Sequence, residues 1–236
     1  MALLEIREVL VRFGGVMAVG GVDLDVQAGE ITGLIGPNGA GKTTLFNVIS
    51  GMQDPTAGIV SVNGVDISHE SPHRRAKRGL ARTFQRLELF ASLTVRDNVR
   101  VAAELASLTN IDSTVNRLLE KVGVSHLADQ TAGELPTGSA RLVEIARALA
   151  TGPQLLLLDE PASGLDESES DRLGKLLREL SGEGLGVLLV EHDMSLVMRV
   201  CDSIYVLDLG MIIAHGTPEY IQHDPHVLQA YLGAPS

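Results

Sequence analysis

The run Gly36-Pro37-Asn38-Gly39-Ala40-Gly41-Lys42-Thr43-Thr44 constrains this chain more than any other stretch. It fits G-x-x-x-x-G-K-[ST], and its surroundings are those such a loop requires. The apolar residues 31–35 read as a short buried strand leading in, and a helical pattern through Leu45, Val48 and Ile49 leads out to Gly51. Glycines let backbone N–H groups turn inward around phosphate oxygens, while the next helix adds the free donors and positive dipole end of its first turn. Lys42 is then placed to reach β- and γ-phosphates, and Thr43 to put its hydroxyl on Mg2+.

At 236 residues, 44% of them hydrophobic, the chain is long enough for one large α/β domain with an inserted lobe. Nineteen Lys and Arg against 30 Asp and Glu give a formal net charge of −11. That balance suits a phosphate backbone poorly, so no nucleic-acid partner is expected. The single cysteine, Cys201, cannot form an internal disulfide, and a reducing cytoplasm is the expected compartment. Met1-Ala2-Leu3-Leu4-Glu5 lacks the basic start and apolar core of a secretory signal. The apolar runs 155–158 and 187–190 fall far short of the roughly 20 residues that span a bilayer. The chain is expected not to cross a membrane, although it can sit against something that does.

Residues 4–9 and 22–26 alternate apolar with polar, as half-exposed antiparallel strands do, and Gly14-Gly15 marks a turn between them. Phe13, just before that turn, is either a strand-end core residue or a flat surface for a base to stack on. Residues 59–64 read as a strand ending in an Asn-Gly hairpin turn. The basic cluster 73–78 reads as a solvated helix face. Residues 79–85 then read as an apolar strand ending in Gln85, whose amide can ligate Mg2+ or hold a water. Thr94 with Asp97 resembles a helix cap, and helical patterns through Val99 and through Val115, Leu118, Leu119 and Val122 make a small inserted lobe. A long helix through Leu142, Ile145, Ala146 and Leu149 opens at Leu135-Pro136-Thr137-Gly138-Ser139, a good helix start and a second place where free N–H groups can meet a phosphate.

The second chemical motif is Leu155-Leu156-Leu157-Leu158-Asp159-Glu160. Four leucines form a strand buried on both faces, with two carboxylates at its C-terminal end, where open parallel sheets place their ligands. Buried carboxylates are costly without a cation or proton to hold. Asp159 therefore suits the Mg2+ shell, and Glu160 suits orienting or deprotonating an attacking water. Glu167, Glu169 and Asp171 fall at a helix start and are assigned no chemistry. A further apolar strand, 187–190, ends in Glu191-His192-Asp193. His192 is either structural or, beside Asp159 and Glu160, in contact with the γ-phosphate or the water. The remaining histidines show no metal-ligand spacing and read as surface. A hairpin around Gly210 and two short helices opened by Thr217-Pro218 and Asp224-Pro225 complete the pattern.

Taken together, these elements resemble over nearly the whole chain the ATP-binding cassette subunit of ABC transporters. The resemblance assigns Walker A to Gly36 through Thr44, the Q-loop glutamine to Gln85, the signature to Leu135 through Ser139, and Walker B to 155–159 with Glu160 as catalytic carboxylate. It assigns the D-loop to 163–166, including Asp166 at the nucleotide, the switch histidine to His192, and the adenine-stacking aromatic to Phe13. It implies a P-loop NTPase of the ABC ATPase type: a mixed core sheet flanked by helices, an antiparallel β subdomain (1–30 and 55–68), an α-helical lobe (about 87–150) and a C-terminal hairpin with helices (203–236). It further implies ATP and Mg2+ as cofactors and a second cassette, identical or paralogous, closing head-to-tail so that each ATP lies between one Walker A and the other signature. Membrane permease subunits, holding the cassette at the inner face of the membrane, are implied as well. Arg12-Phe13-Gly14-Gly15, the run 79–85, Val190-Glu191-His192-Asp193-Met194, Gly216-Thr217-Pro218-Glu219 and the ending Ala230-Tyr231-Leu232-Gly233 are similar to the ATPase subunits of branched-chain amino-acid importers. Lipid or lipopolysaccharide-type exporters and soluble non-transport ABC ATPases are the alternatives. The family's Leu-Ser-Gly-Gly-Gln signature is replaced by Leu-Pro-Thr-Gly-Ser, where proline removes a hydroxyl and a backbone donor, so Thr137 or Ser139 is expected to supply the hydroxyl.

Overall fold

The computed structural model describes residues 2–232; Met1, Gly233 and the remainder of the C-terminal segment to 236 lie outside the described residues. Alternating patterns form β1 (Leu4–Phe13) and β2 (Val16–Val26), paired antiparallel across Gly14-Gly15. The wholly apolar β3 (Ile31–Ile35) is buried at every position, and α1 (Lys42–Ser50) begins at the lysine of the glycine-rich loop. β4 (Ala57–Val62) and β5 (Val65–Asp66) meet at Asn63-Gly64, where both residues take the positive φ that a tight hairpin turn needs. These strands form a four-stranded antiparallel sheet in the order β2-β1-β4-β5.

After α2 (Pro72–Lys77), β6 (Leu80–Arg82) enters a second sheet, and the chain leaves it for α3 (Val95–Leu105), α4 (Ile111–Lys121) and α5 (Thr137–Leu149). Strand and helix then alternate through β7 (Leu155–Asp159), α6 (Glu167–Gly182), β8 (Gly186–Val190), α7 (Met194–Val200) and β9 (Ser203–Asp208). β10 (Met211–Gly216) folds back on β9, followed by α8 (Pro218–His223) and α9 (Pro225–Leu232). The sheet order is β10-β9-β3-β8-β7-β6, parallel except for β10. A mixed sheet, an antiparallel β subdomain and a helical lobe agree with the expected architecture.

Period-two geometry divides each central strand between two cores. Leu155 and Leu157 face α1 and the antiparallel sheet with Phe46 and Ile6, whereas Leu156 and Leu158 face the helices with Val99, Ile145 and Leu177. With both faces covered, chemistry is confined to the strand ends. Asp159 stands opposite Val190, and Val190 opposite Leu34, so the loops after β3, β7 and β8 leave one edge together.

Two expectations need correction. The cluster 73–78 is not a solvated face throughout: Arg75 is 0% exposed and donates to the carbonyls of Val48 (2.5 Å) and Ile49 (2.8 Å) at the end of α1, and to those of Ser68 and Glu70 (2.9 Å each). The last carbonyls of a helix lack intrahelical partners, and a guanidinium with five donors can satisfy several at once. The strand expected over 79–85 ends at Arg82. Thr83 donates its N–H to Leu157 at 2.9 Å as the final rung, and the carbonyls of Phe84 and Gln85 turn instead to the Arg141 guanidinium on α5.

Candidate active site

Walker A is shaped by close approach. Gly36 (φ 152°) and Gly41 (φ 107°) lie where a Cβ would overlap the carbonyl oxygens of Leu207 and Ala18 respectively, so a side chain at either would push the loop open. Gly36 and Ala40 are buried, Pro37, Gly41 and Thr44 partly exposed, and Asn38, Gly39 and Thr43 exposed. No side chain caps α1, and its first i to i−4 bond runs from Leu45 to Gly41 (2.9 Å), which leaves the N–H groups of Lys42, Thr43 and Thr44 without intrahelical acceptors. Lys42 is buried, and its Nζ donates to the carbonyls of Gly36 (2.6 Å) and Pro37 (3.0 Å) of its own loop. Burial pulls the Lys42 pKa down, against the opposing pull of Glu160 and Asp159.

Three loops converge on Glu160. Its carboxylate accepts from Gln85 Nε2 at 2.9 Å and lies 2.8 Å from His192 Nε2, while its own N–H donates to Val190 at 2.9 Å. Glu160 holds φ at 51°, a left-handed conformation rare for a glutamate. Such strain costs about 1–3 kcal/mol and is found at sites where the surroundings impose a geometry. Glu160, His192 and Gln85, expected from the sequence as the catalytic group, are thus brought into direct contact.

Asp159 is buried beside them, and burial pushes its carboxyl pKa up, opposed by Arg82. Arg82 is a residue that sequence reasoning missed. It donates to Asp159 Oδ2 (3.0 Å), to Asn47 Oδ1 (2.7 Å) and to Ser50 Oγ (2.9 Å), with its guanidinium carbon 5.0 Å from the Phe84 ring centre and 5.5 Å from that of Phe46. It therefore joins Walker A's helix to Walker B. The available signal was a charged residue ending a short apolar strand, where burial requires a counter-ion.

Arg82 occupies Oδ2 of Asp159, no hydrogen bond to Oδ1 is seen among the described residues, and Thr43 is exposed at the start of α1. Among the described residues no group of three or more His, Cys, Asp or Glu gathers to hold a metal. This sparse oxygen set fits Mg2+, which keeps several waters and is held by one or two protein groups together with phosphates. Gln85 presents its amide nitrogen to Glu160 and so retains its oxygen.

The signature lies elsewhere on the chain. Pro136 is the N-cap of α5, and the first helical bond, Ala140 to Pro136 (3.0 Å), leaves the N–H groups of Thr137, Gly138 and Ser139 without intrahelical acceptors. Thr137 is exposed, its methyl against Gly164, and a Cβ on Gly138 would overlap the Glu169 carboxylate. Asp166 caps α6 by accepting from the Glu169 N–H (2.8 Å) while Glu169 accepts from the Asp166 N–H (3.0 Å). These contacts join Leu135 through Ser139 to the D-loop of the same chain, not to its Walker A. Phe13 ends β1 with half its surface exposed, and β2 runs on from it to Ala18, beside Gly41.

A glycine-cradled loop, a buried aspartate and a carboxylate held by glutamine and histidine define a nucleoside-triphosphate-hydrolysing cassette, and the family model described as "ABC transporter" matches residues 19–163. The chain belongs to the ABC transporter family and is its ATP-binding, ATP-hydrolysing component. A second model, "Branched-chain amino acid ATP-binding cassette transporter", matches residues 211–235. The chain is 40% identical to the high-affinity branched-chain amino acid transport ATP-binding protein BraF of Pseudomonas aeruginosa over 98% of each chain, and 39% identical to LivG of Salmonella typhimurium over the same shares. It is 38% identical to the lipopolysaccharide export system ATP-binding protein LptB of Escherichia coli over 99% of this chain and 98% of that one. Two solved cassettes, a nucleotide-free one (TM-score 0.89) and the ADP conformation of MJ1267 (0.90), each 32% identical, cover 99% of this chain and are themselves covered completely.

Proposed function

We propose that this cassette powers uptake of branched-chain amino acids through membrane permease subunits. The observation that carries the cargo is the match of residues 211–235 to a model specific to branched-chain amino-acid cassettes, joined to near-full-length identity with BraF and LivG. In this reading the free N–H groups of Gly36 through Thr44 and the Lys42 ammonium bind the ATP phosphates, and Phe13 stacks on adenine. Glu160 takes a proton from the attacking water, with His192 and Gln85 holding its carboxylate in place. Thr43, Asp159 and Gln85 are the residues that would hold Mg2+, which when bound would supply neutralisation of charge on the phosphates.

A second cassette supplies Leu135 through Ser139 and Asp166 across the closed dimer, with Thr137 or Ser139 providing the hydroxyl that Pro136 lacks. Permease contact falls to the helical lobe and the segment after Gln85, where Leu87 and Phe90 are exposed. Among the described residues no helix is long and apolar enough to cross a membrane; in this reading the permease holds the cassette at the inner face. The near-equal identity to LptB favours one second reading, lipopolysaccharide-type export. Vesicles containing the membrane subunits that co-purify with the chain decide between them. ATP-dependent accumulation of leucine, isoleucine or valine is expected; extraction of lipopolysaccharide without amino-acid uptake would overturn the assignment.

A further inference from the structure

Glu191 stands at the end of β8, one residue before His192, with 4% of its surface exposed. A buried carboxylate is a costly way to end a strand unless both oxygens are hydrogen-bonded, and an apolar residue would fill the same space without that cost. Here each oxygen serves a different loop. Oε1 accepts from the Ala162 N–H at 2.6 Å, two residues past Glu160 at the entry to the D-loop; Oε2 accepts from the N–H groups of His192 (3.0 Å) and Asp193 (3.4 Å).

The remaining contacts close a ring. Glu160 donates its N–H to Val190, its carbonyl accepts from Ser163 at 3.1 Å, and its carboxylate meets the His192 ring. The imidazole is the exposed member of that last contact, so its placement depends on how firmly its backbone is held.

We propose that Glu191 is a positioning residue for hydrolysis: its carboxylate fastens the His192 backbone to the Ala162 backbone, and so fixes where the imidazole meets Glu160. A carboxylate suits this task because it has only acceptors. Glutamine would turn an NH2 group toward N–H donors on one side, releasing either the D-loop or the histidine loop while keeping the volume filled. The proposal rests on the catalytic reading of Glu160 and His192, and its test separates the two.

Steady-state ATPase kinetics of the full-length chain are compared for Glu191→Gln, Glu191→Asp, His192→Ala and the Glu191→Gln/His192→Ala double variant, with thermal melting as a folding control. Glu191→Gln is expected to lower kcat about 10- to 100-fold, the scale set by misplacing a reacting group by an ångström. KM for ATP should stay within about twofold, because nucleotide binding uses other residues. Glu191→Asp, which keeps both oxygens one methylene short, should lose less. The double variant should be no slower than His192→Ala alone, since Glu191 acts through His192. A near-normal kcat for Glu191→Gln, or losses that multiply in the double variant, would overturn the proposal; should Glu191→Gln fail to fold, Glu191→Asp with and without His192→Ala is judged by the same criterion. If His192→Ala itself turns over at the wild-type rate, the catalytic reading fails and takes the proposal with it, whereas a slow His192→Ala beside a normal Glu191→Gln defeats the proposal alone.

Discussion

At the residue scale the site works by placing charge where the fold can hold it. Lys42 is buried, yet its two protein acceptors are carbonyls of its own loop, which phosphate oxygens can replace without leaving the ammonium unpaired. Lys42→Ala is therefore expected to weaken ATP binding about 10- to 100-fold, the range of a charge-assisted hydrogen-bond set. Equilibrium binding of a fluorescent ATP analogue measures it, and unchanged affinity would remove Lys42 from the phosphate site. Cys201 gives an opposite case. Burial pushes its thiol pKa up to about 12, so almost no thiolate exists near neutrality. Iodoacetamide at pH 8 should leave the folded chain unmodified and label it on denaturation; rapid labelling of the native chain would contradict the packing around it.

Residues carried by a short motif had a placement legible from the start: the close-approach glycines Gly36 and Gly41, and Asp159 and Glu160 at the end of a buried strand. Arg82 and Arg75 were not, because each finds its partners far along the chain, Arg82 at Asp159 and Arg75 at Val48 and Ile49. Pattern reading averages a basic cluster into one solvated face and cannot single out the member that another helix draws inward.

At the element scale, strand type followed directly from periodicity. β7 and β8 are apolar at nearly every position because both of their faces are covered, while β1 alternates because it has one buried and one exposed face. Although the caps at Asp166 and Asp193 emerge only in the structure, the helical lobe and the caps at Thr94 and Thr217 were equally readable. The end of β6 was not, since it is set by Arg141 pulling the Phe84 and Gln85 carbonyls toward α5. The packing of α2 on α1 depends on the buried Arg75, and Arg75→Met would leave four carbonyls without that donor. A loss of about 3 kcal/mol or more is expected, several unsatisfied buried acceptors being worth more than one. Urea denaturation provides the measurement; a loss below about 1 kcal/mol would mean that water replaces the guanidinium at little cost.

At the scale of the whole molecule, the two uncapped helix starts proposed to face phosphate, α1 and α5, belong to different regions of the chain, and Thr137 and Gly138 at the start of α5 lie against Gly164 and Glu169 of the same chain. In the proposed reading one chain would present two halves of a site, which a two-fold, head-to-tail pair would complete twice over. Closure of such a pair would then depend on ATP, because only a ligand that binds the closed state better can shift the equilibrium toward it. Hydrolysis at Glu160 would remove that preference and reopen the pair.

Sedimentation velocity of the Glu160→Gln chain with and without Mg2+ and ATP tests this account most directly. The account predicts a monomer without nucleotide and a stable dimer with ATP, retaining unhydrolysed nucleotide in each of its two sites. A chain that stays monomeric at saturating ATP, or that still turns ATP over at the wild-type rate, would contradict it.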